Sequence, residues 1–387
     1  MRIVHIAPNA PYNDYWGYQE NLLPKYQAKL GHSVIIITTN QMHREGRIVD
    51  TEESEYQLTD GVKVIRRKRK QYLFRVATNL CARISVEELL KELHPDFIFF
   101  HGLVSTTIFE AIAYKKKVNP SCIIVQDNHM DYYNSRKFSD VHGKIMRMFY
   151  RLIASRSIQN VARVYGVTPW RQQYAIDYFK LPADKTDILI MGADDEKIHF
   201  ERRNEIRKEI RDQYHIAEKE FLIVTGGKIN ESKKTHILME AVNRIENVKL
   251  IVFGEIESNV QEQIDKQRSN KNILIGWIPA EKTYDYYLAA DLVCFPGTHS
   301  VMWEQACACK VPCLFAQWTG MDHVNNGGNS EFINNITVEG LRSKIEELRF
   351  TEKYYDMKKN AESHKTDIYL YSAIAKKSLE MSKKKPQ

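Results

Sequence analysis

The sequence predicts an α/β protein of two domains, each a parallel sheet covered by helices on both faces. Three observations carry this reading. Short, β-branched apolar runs alternate with longer amphipathic stretches. The alternation runs through the first half, breaks at a charged junction and starts again. The chain of 387 residues has the length of two ordinary domains.

In the first half the strand candidates are residues 3–7, 33–38, 62–66, 97–101, 122–126 and 163–166. A helix is expected over 19–30, where Leu22, Leu23, Tyr26 and Leu30 fall at helical spacing and Gly31 ends the run. Later strand candidates are 221–225, 249–253, 273–275, 292–295 and 312–315. Helices are expected between them over 235–244, 257–268, 280–290 and 302–308. The charge-rich stretch 194–211 is the expected junction. The domains are therefore expected over 1–195 and 196–365, with ligands at the carboxyl ends of the strands.

Composition excludes several classes. Hydrophobic residues make up 43% and charged residues 27%, as in ordinary globular domains. No apolar run approaches the roughly 20 residues that span a bilayer. The start, Met1 to Ala7, reads as a buried first strand rather than a signal peptide, so a cytoplasmic protein is expected. The six scattered cysteines match no zinc spacing and read as small buried side chains.

The formal charge of +7 is local in origin. One block is Arg66-Arg67-Lys68-Arg69-Lys70. A second runs from Arg136 to Arg156, with Lys144, Arg147 and Arg151 among Ile145, Met148, Phe149 and Leu152. Basic runs are often solvated faces, but bulky apolar residues among them suit an anionic membrane surface. No nucleic-acid motif accompanies them.

Four segments carry candidate chemistry. Gly226-Gly227-Lys228, with Lys233 and Lys234, follows a strand and precedes a helix. Glycines there admit close backbone approach, and two lysines suit a pyrophosphate. It is neither a Walker A loop nor a dinucleotide fingerprint. Pro296 to Glu304, including His299, Ser300 and Val301, follows another strand. Ser300 is a candidate N-cap, and Glu304 suits vicinal ribose hydroxyls or merely complements the helix dipole. Gln126 to Tyr132 places His129 and Asp131 at a strand end, and His101 ends another strand. The loop from Pro8 to Gly17, with Asp14 and Tyr15, follows the first strand.

In this order the segments resemble retaining glycosyltransferases of the GT-B fold, family 4, over roughly residues 3–346. Leu30-Gly31-His32-Ser33-Val34 resembles the family's Gly-His-x-Val element. Asp96 to Gly102 resembles its strand ending in His-Gly, and Asn128-His129-Met130-Asp131 stands where the family has its active-site His. Met191-Gly192-Ala193-Asp194 resembles the segment before the second domain. Gly227-Lys228-Ile229 with Lys233 resembles its diphosphate site. Glu304 to Pro312 resembles Glu-Ala-Met-Ala-x-Gly-x-Pro. Lys228 replaces an Arg, Lys234 a Gly, and Pro296 stands where the family's first Glu is expected.

The resemblance implies two Rossmann-like domains facing across a cleft, with a C-terminal helix, about 366–387, crossing back to the first. It implies sugar transfer from a nucleotide sugar, UDP- or GDP-linked, with retention and with neither metal nor other cofactor. It makes His129, Lys228, Lys233 and Glu304 catalytic. Gly17, Gly227, Ile278, His299, Ser300 and Val301 join the donor site; Asp14, Tyr15, His101 and Asp131 face the acceptor. The acceptor is then a glycan or lipid-linked glycan of the cell envelope, reached from the inner membrane face. Two alternatives stay open: a nucleotide-sugar epimerase of the same fold, and a non-catalytic binding subunit, which the missing Glu favours.

Overall fold

The computed structural model describes residues 1–73, 81, 83–133, 135 and 141–383. Arg136 and Lys137, part of the second basic block, lie outside the described residues. The chain divides into two compact units, Met1–Ile190 with Ile374–Gln387, and Met191–Ala373. The expected junction lay a few residues later. The difference has a physical cause: Ala193 bridges Leu370, with Ala193 N–H donating to Tyr369 O and Tyr371 N–H to Ala193 O. The segment after Ile190 is thereby tied into the second unit.

The first unit holds β1 (Arg2–Ala7), β2 (Ser33–Thr39), β3 (Gln41–Arg44), β4 (Arg47–Asp50), β5 (Ser54–Gln57), β6 (Lys63–Arg67), β7 (Phe97–Phe100), β8 (Ile123–Asn128), β9 (Arg163–Gly166) and β10 (Thr186–Ile188). Eight of them form one sheet in the order β10-β9-β8-β7-β1-β2-β6-β5. All its pairings are parallel except β5 with β6. Strands β1, β2 and β7 are buried almost throughout, as continuous apolar runs in a parallel sheet require. Phe99, for example, is fully buried, and truncating such a side chain to Ala costs about 3–5 kcal/mol.

Two local rules fix useful details. Thr168 caps the helix Pro169–Phe179 by accepting from Arg171 N–H, and Pro169 opens it with the fixed φ that a first turn needs. The unexpected hairpin β3–β4 turns at Glu45 and Gly46, both with positive φ, the type I′ geometry that matches strand twist. Its polar strands carry no apolar alternation to reveal them.

The second unit holds β11 (Phe221–Gly226), β12 (Val248–Phe253), β13 (Asn272–Gly276), β14 (Leu292–Phe295), β15 (Cys313–Ala316) and β16 (Ser330–Ile333). They form an all-parallel sheet in the order β13-β12-β11-β14-β15-β16. The helix Met302–Ala308 follows β14, and short helices Tyr371–Ser378 and Glu380–Lys383 end the described chain.

Each sheet grows outward in both directions from an early strand. The order reverses beside β1 in the first unit and between β11 and β14 in the second. The connections leave a crevice at such a switch point, at the carboxyl ends of the strands. Those ends carry His101 and His129 in one unit, and Gly227 and Pro296 in the other. Among the described residues, no helix is long and apolar enough to cross a membrane.

Candidate functional site

In the second unit, three strand-end loops are drawn together by glycines. Gly227 takes φ +98 and Gly254 φ +119, both left-handed. A Cβ on Gly254 would lie 1.8 Å from the carbonyl oxygen of Gly227, so only glycine fits. The loops after β11 and β12 are joined by Ile229 N–H to Glu255 O and Glu257 N–H to Ile229 O. Gly297 meets the loop after β11 just as closely, because a Cβ there would lie 2.4 Å from Lys233 Cα and Ser232 O.

These contacts frame a cavity of about 360 Å³ lined by Gly227, Lys228, Phe253, Gly254, Trp277, Ile278 and Met302, among others. Apolar Phe253, Ile278, Met302 and the largely exposed Trp277 line it together with the polar Lys228, Glu255 and Thr283. A planar, hydrogen-bonding ring with a charged tail suits such a place. Of the expected donor residues, Gly227, Lys228 and Ile278 line it, and Lys233, His299, Ser300, Val301 and Glu304 do not.

The two lysines differ sharply. Lys228 is 68% exposed and paired with Glu257 at 2.7 Å. Lys233 is largely buried; its Nζ donates to Thr298 O at 2.7 Å and lies 3.4 Å from His299 O. Burial pushes the Lys233 ammonium down to about 8. Lys233 therefore pins the Gly297–His299 turn, and its three donors leave capacity for an anion beside that turn.

Glu304 is not where a ribose ligand is expected. It is fully buried, and its Oε1 accepts from His299 Nε2 at 2.9 Å and His323 Nε2 at 2.8 Å. Burial alone would push its carboxyl up, but the two imidazoles outweigh that and hold it well below the usual range. The sequence register explains the misplacement. The resembling motif runs seven residues from Glu to Pro, whereas Glu304 stands eight before Pro312. The matching residue is Gln305, which is partly exposed and one turn from the cavity-lining Met302. The motif's first Glu then falls on Gly297 rather than Pro296. Nor does Ser300 cap the helix: the N-cap position is Val301, with no side-chain cap. Ser300 and Val301 are partly exposed.

His299, Glu304 and His323 are also the donor set, among the described residues, that lies close enough to share a cation, within 4.8 Å of one another. His323 was not foreseen; it sits in a short turn well beyond β15 and carries no spacing signal. The cysteines give no competing site. Cys294, Cys309 and Cys313 are buried, which pushes their thiols up and makes them inert.

In the first unit, the strand ends bring His101, Asp127 and His129 together. Asp127 is fully buried; His101 Nδ1 donates to its Oδ2 at 2.7 Å and Gly102 N–H to its Oδ1 at 2.7 Å. Gly102 points its N–H there by adopting φ +93, and a Cβ on it would strike Asn9 Nδ2. That explains His-Gly at this strand end. His129 Nε2 approaches Asp127 Oδ2 at 3.4 Å, an ion-pair contact longer than a well-formed hydrogen bond. Its Nε2 is buried while the side chain is 37% exposed, so the exposure lies on the other edge of the ring.

The expected acceptor residues separate. His101 is 4% exposed and held from both sides, so it has no edge to offer an acceptor. Asp131 is buried against Arg171 at 3.1 Å. Asp14 pairs with Arg66 at 3.1 Å and accepts from Tyr56 Oη, which accounts for part of the first basic block as internal pairing. Tyr15 is 62% exposed, with positive φ and its Oη near Thr59. A Cβ on the exposed Gly17 would meet nothing within 4 Å.

Two family descriptions match the chain: Glycosyltransferase Family 4 over residues 22–197 and Glycosyl transferases group 1 over residues 206–364. No curated protein matches in sequence comparison. Among solved structures, a glycosyltransferase from Rickettsia africae is similar with TM-score 0.70 at 16% identity, covering 99% of this chain and 97% of that one. Sucrose-phosphate synthase from Thermosynechococcus elongatus gives 0.69 at 14%, covering 99% and 98%. Anabaena HepE in complex with UDP-glucose gives 0.66 at 16%, covering 99% of both chains. At such identities the likeness speaks for the fold, and the family matches carry the rest. This chain belongs to the GT-B glycosyltransferases of family 4, group 1, and is a glycosyltransferase.

Proposed function

We propose that the chain transfers a sugar from a nucleoside diphosphate sugar to a hydroxyl of a glycan or lipid-linked acceptor, with retention and without a metal ion. The observation that carries this reading is the glycine-framed cavity at the switch point of the second unit, with Lys228 in its lining and the part-buried Lys233 holding the Gly297–His299 turn. A base enters between Trp277, Ile278 and the Gly227 and Gly254 backbone. The diphosphate follows toward the Lys233-pinned turn, where backbone N–H groups and the two lysines meet the charge that builds on the leaving group. His129 contacts the sugar, and the acceptor hydroxyl attacks from the face the diphosphate leaves.

UDP is the first donor to test, because the similar HepE structure holds UDP-glucose. Incubation of UDP- and GDP-sugars with the enzyme in EDTA should release free sugar and nucleoside diphosphate slowly. An isomerised nucleotide sugar, or strict dependence on added cation, would overturn the reading.

The helix Val141–Ser157 supports an envelope role. Val141, Ile145, Met148 and Leu152 are exposed at one-face spacing, with Lys144 exposed on the same helix. This stripe docks on anionic lipid, peripherally on the inner membrane face, and brings the enzyme to a lipid-linked acceptor. Flotation with phosphatidylglycerol vesicles should capture the wild type and lose Ile145→Ser/Met148→Ser. Equal capture of both would refute docking by this face.

A further inference from the structure

The first unit contains a buried polar chain that the proposed function does not use. It runs from Ser378, in the helix Tyr371–Ser378, through Gln27, His5 and His101 to Asp127, beside His129. The links are Gln27 Nε2 to Ser378 Oγ at 2.9 Å, His5 Nε2 to Gln27 Oε1 at 2.8 Å, His5 Nδ1 to His101 Nε2 at 3.0 Å and His101 Nδ1 to Asp127 Oδ2 at 2.7 Å. Ser378, Gln27, His5 and Asp127 are completely buried. So long a side-chain chain in a core is costly unless every member is satisfied.

The fixed end of this chain sets its polarity. Ser378 Oγ–H donates to Ala375 O at 2.7 Å, so its oxygen accepts from the Gln27 amide. The Gln27 oxygen then accepts from His5 Nε2–H. Burial, the largest cause, pushes His5 down to about 3, so its ring is neutral, and with Nε2–H given to Gln27 its Nδ1 accepts. His101 therefore donates from Nε2 as well as to Asp127 from Nδ1. It carries hydrogen on both nitrogens: an imidazolium paired with a carboxylate. The opposite polarity, with a neutral His101, requires the Gln27 amide reversed and costs Ser378 its bond to Ala375.

We propose that Asp127 is the positioning carboxylate of His129, and that the His101–His5–Gln27–Ser378 chain keeps this buried carboxylate ionised and aimed. Oδ1 is fixed by Gly102 and one edge of Oδ2 by His101, so the remaining edge of Oδ2 faces His129 Nε2. The contact holds that nitrogen inward and turns the opposite ring edge toward substrate. Burial opposes the charged form of His129 and Asp127 outweighs it; Glu20 also favours that form and Arg171 opposes it. Asp127 is thus a positioning residue acting through His129. The inference rests on the role given to His129.

Two measurements test it. Nitrogen-15 spectra of histidine-labelled wild type at pH 7.5 should show one imidazole protonated on both nitrogens, lost in His101→Gln. In steady-state kinetics, Asp127→Asn should lower kcat by about 10- to 100-fold, the usual cost of removing a histidine's orienting carboxylate. Donor KM should stay within about threefold, because the cavity proposed for the nucleotide is lined by residues of the second unit alone. The alkaline fall in kcat should move to lower pH, since His129 loses the charge that holds its proton. UDP affinity of the same protein controls for folding. If Asp127→Asn does not fold, Ser378→Ala and the spectra decide.

A His129→Ala enzyme that keeps wild-type turnover would defeat the reading of His129 itself. If His129→Ala is inactive while Asp127→Asn keeps kcat and pH limb, the site stands and this inference falls. A neutral His101 at pH 7.5 would overturn the chain's polarity, and with it the role given to the relay.

Discussion

The two units build their strand ends from opposite materials. The first places charged and polar side chains in the core and satisfies them with one another: Asp127 against two imidazoles, Asp131 against Arg171, Arg66 against Asp14 and Tyr56. The second places backbone against backbone at Gly254 and Gly297, and sets Gly227 against the Met302 sulfur. The first arrangement sets imidazoles against a buried carboxylate. The second leaves a cavity with backbone groups at its rim, suited to a ligand whose own charge is to be met. The difference teaches that the same parallel sheet offers either a side-chain site or a backbone site, decided by what sits one residue past the strand.

The largest effect should come from breaking the backbone site. Gly254→Ala places a Cβ at φ +119 and 1.8 Å from the Gly227 carbonyl, neither of which can yield cheaply. It should cost about 2–4 kcal/mol of stability and abolish nucleotide binding. A thermal scan with and without UDP checks this, and unchanged binding would mean that the cavity is not the donor site.

Next is Lys233→Ala, expected to lower kcat/KM by about 100-fold, the scale of losing one charge-stabilising donor. Because the Lys233 ammonium sits near 8, wild-type turnover should fall as pH rises past about 8, where that charge is lost. Lys228→Ala, at an exposed and already paired lysine, should do far less and leave Tm unchanged. If the two variants behave alike, burial is not what distinguishes them.

Glu304→Gln sharpens the comparison from the other side. As a buried carboxylate under two imidazoles it should matter to stability, by about 1–3 kcal/mol, more than to UDP affinity. Its depressed folded pKa contributes stability that is present above the ordinary carboxylate pKa near 4.5 and lost as pH falls below it. A stable variant that no longer binds UDP would restore Glu304 as a ligand contact.

Acid should separate the units. His5 is depressed in the fold, to about 3 from 6.5, so its neutral form is the one folding selects. That contribution is present above 6.5 and is lost as pH falls from there toward 3. His129 runs the other way, its stabilisation fully present below 6.5 and lost as pH rises through its raised folded value. The first unit should therefore begin to weaken near pH 6.5, whereas the Glu304 cluster holds to about 4.5. Proteolysis along an acid series, with fragments mapped to each unit, reads this directly.

Most of the two sheets was legible in the sequence, because buried parallel strands are continuous apolar runs. Ile3 to Ala7 and Phe221 to Thr225 declare themselves in this way. The hairpin β3–β4 and the edge strand β16 did not, since Met42, Ile48 and Phe332 are too few among polar neighbours to set a period. At the site, glycine and lysine positions were legible, as were His101 and His129 at their strand ends. Burial was not: nothing in Asp-Phe-Ile-Phe-Phe-His-Gly says that His101 is enclosed by His5 from one neighbouring strand and Asp127 from the other. Glu304 was misread for a plainer reason, a one-residue register error against Pro312, which on a helix rotates a side chain by about 100° from cavity to core.

The central claim, that the glycine-framed cavity of the second unit holds the diphosphate donor without a metal, has one direct test. Calorimetric titration of the wild type with UDP, and in turn GDP, in EDTA should give one-to-one binding for at least one of them. Gly254→Ala and Lys233→Ala should each weaken it. No binding of either nucleotide, or binding that both variants leave intact, would contradict the account.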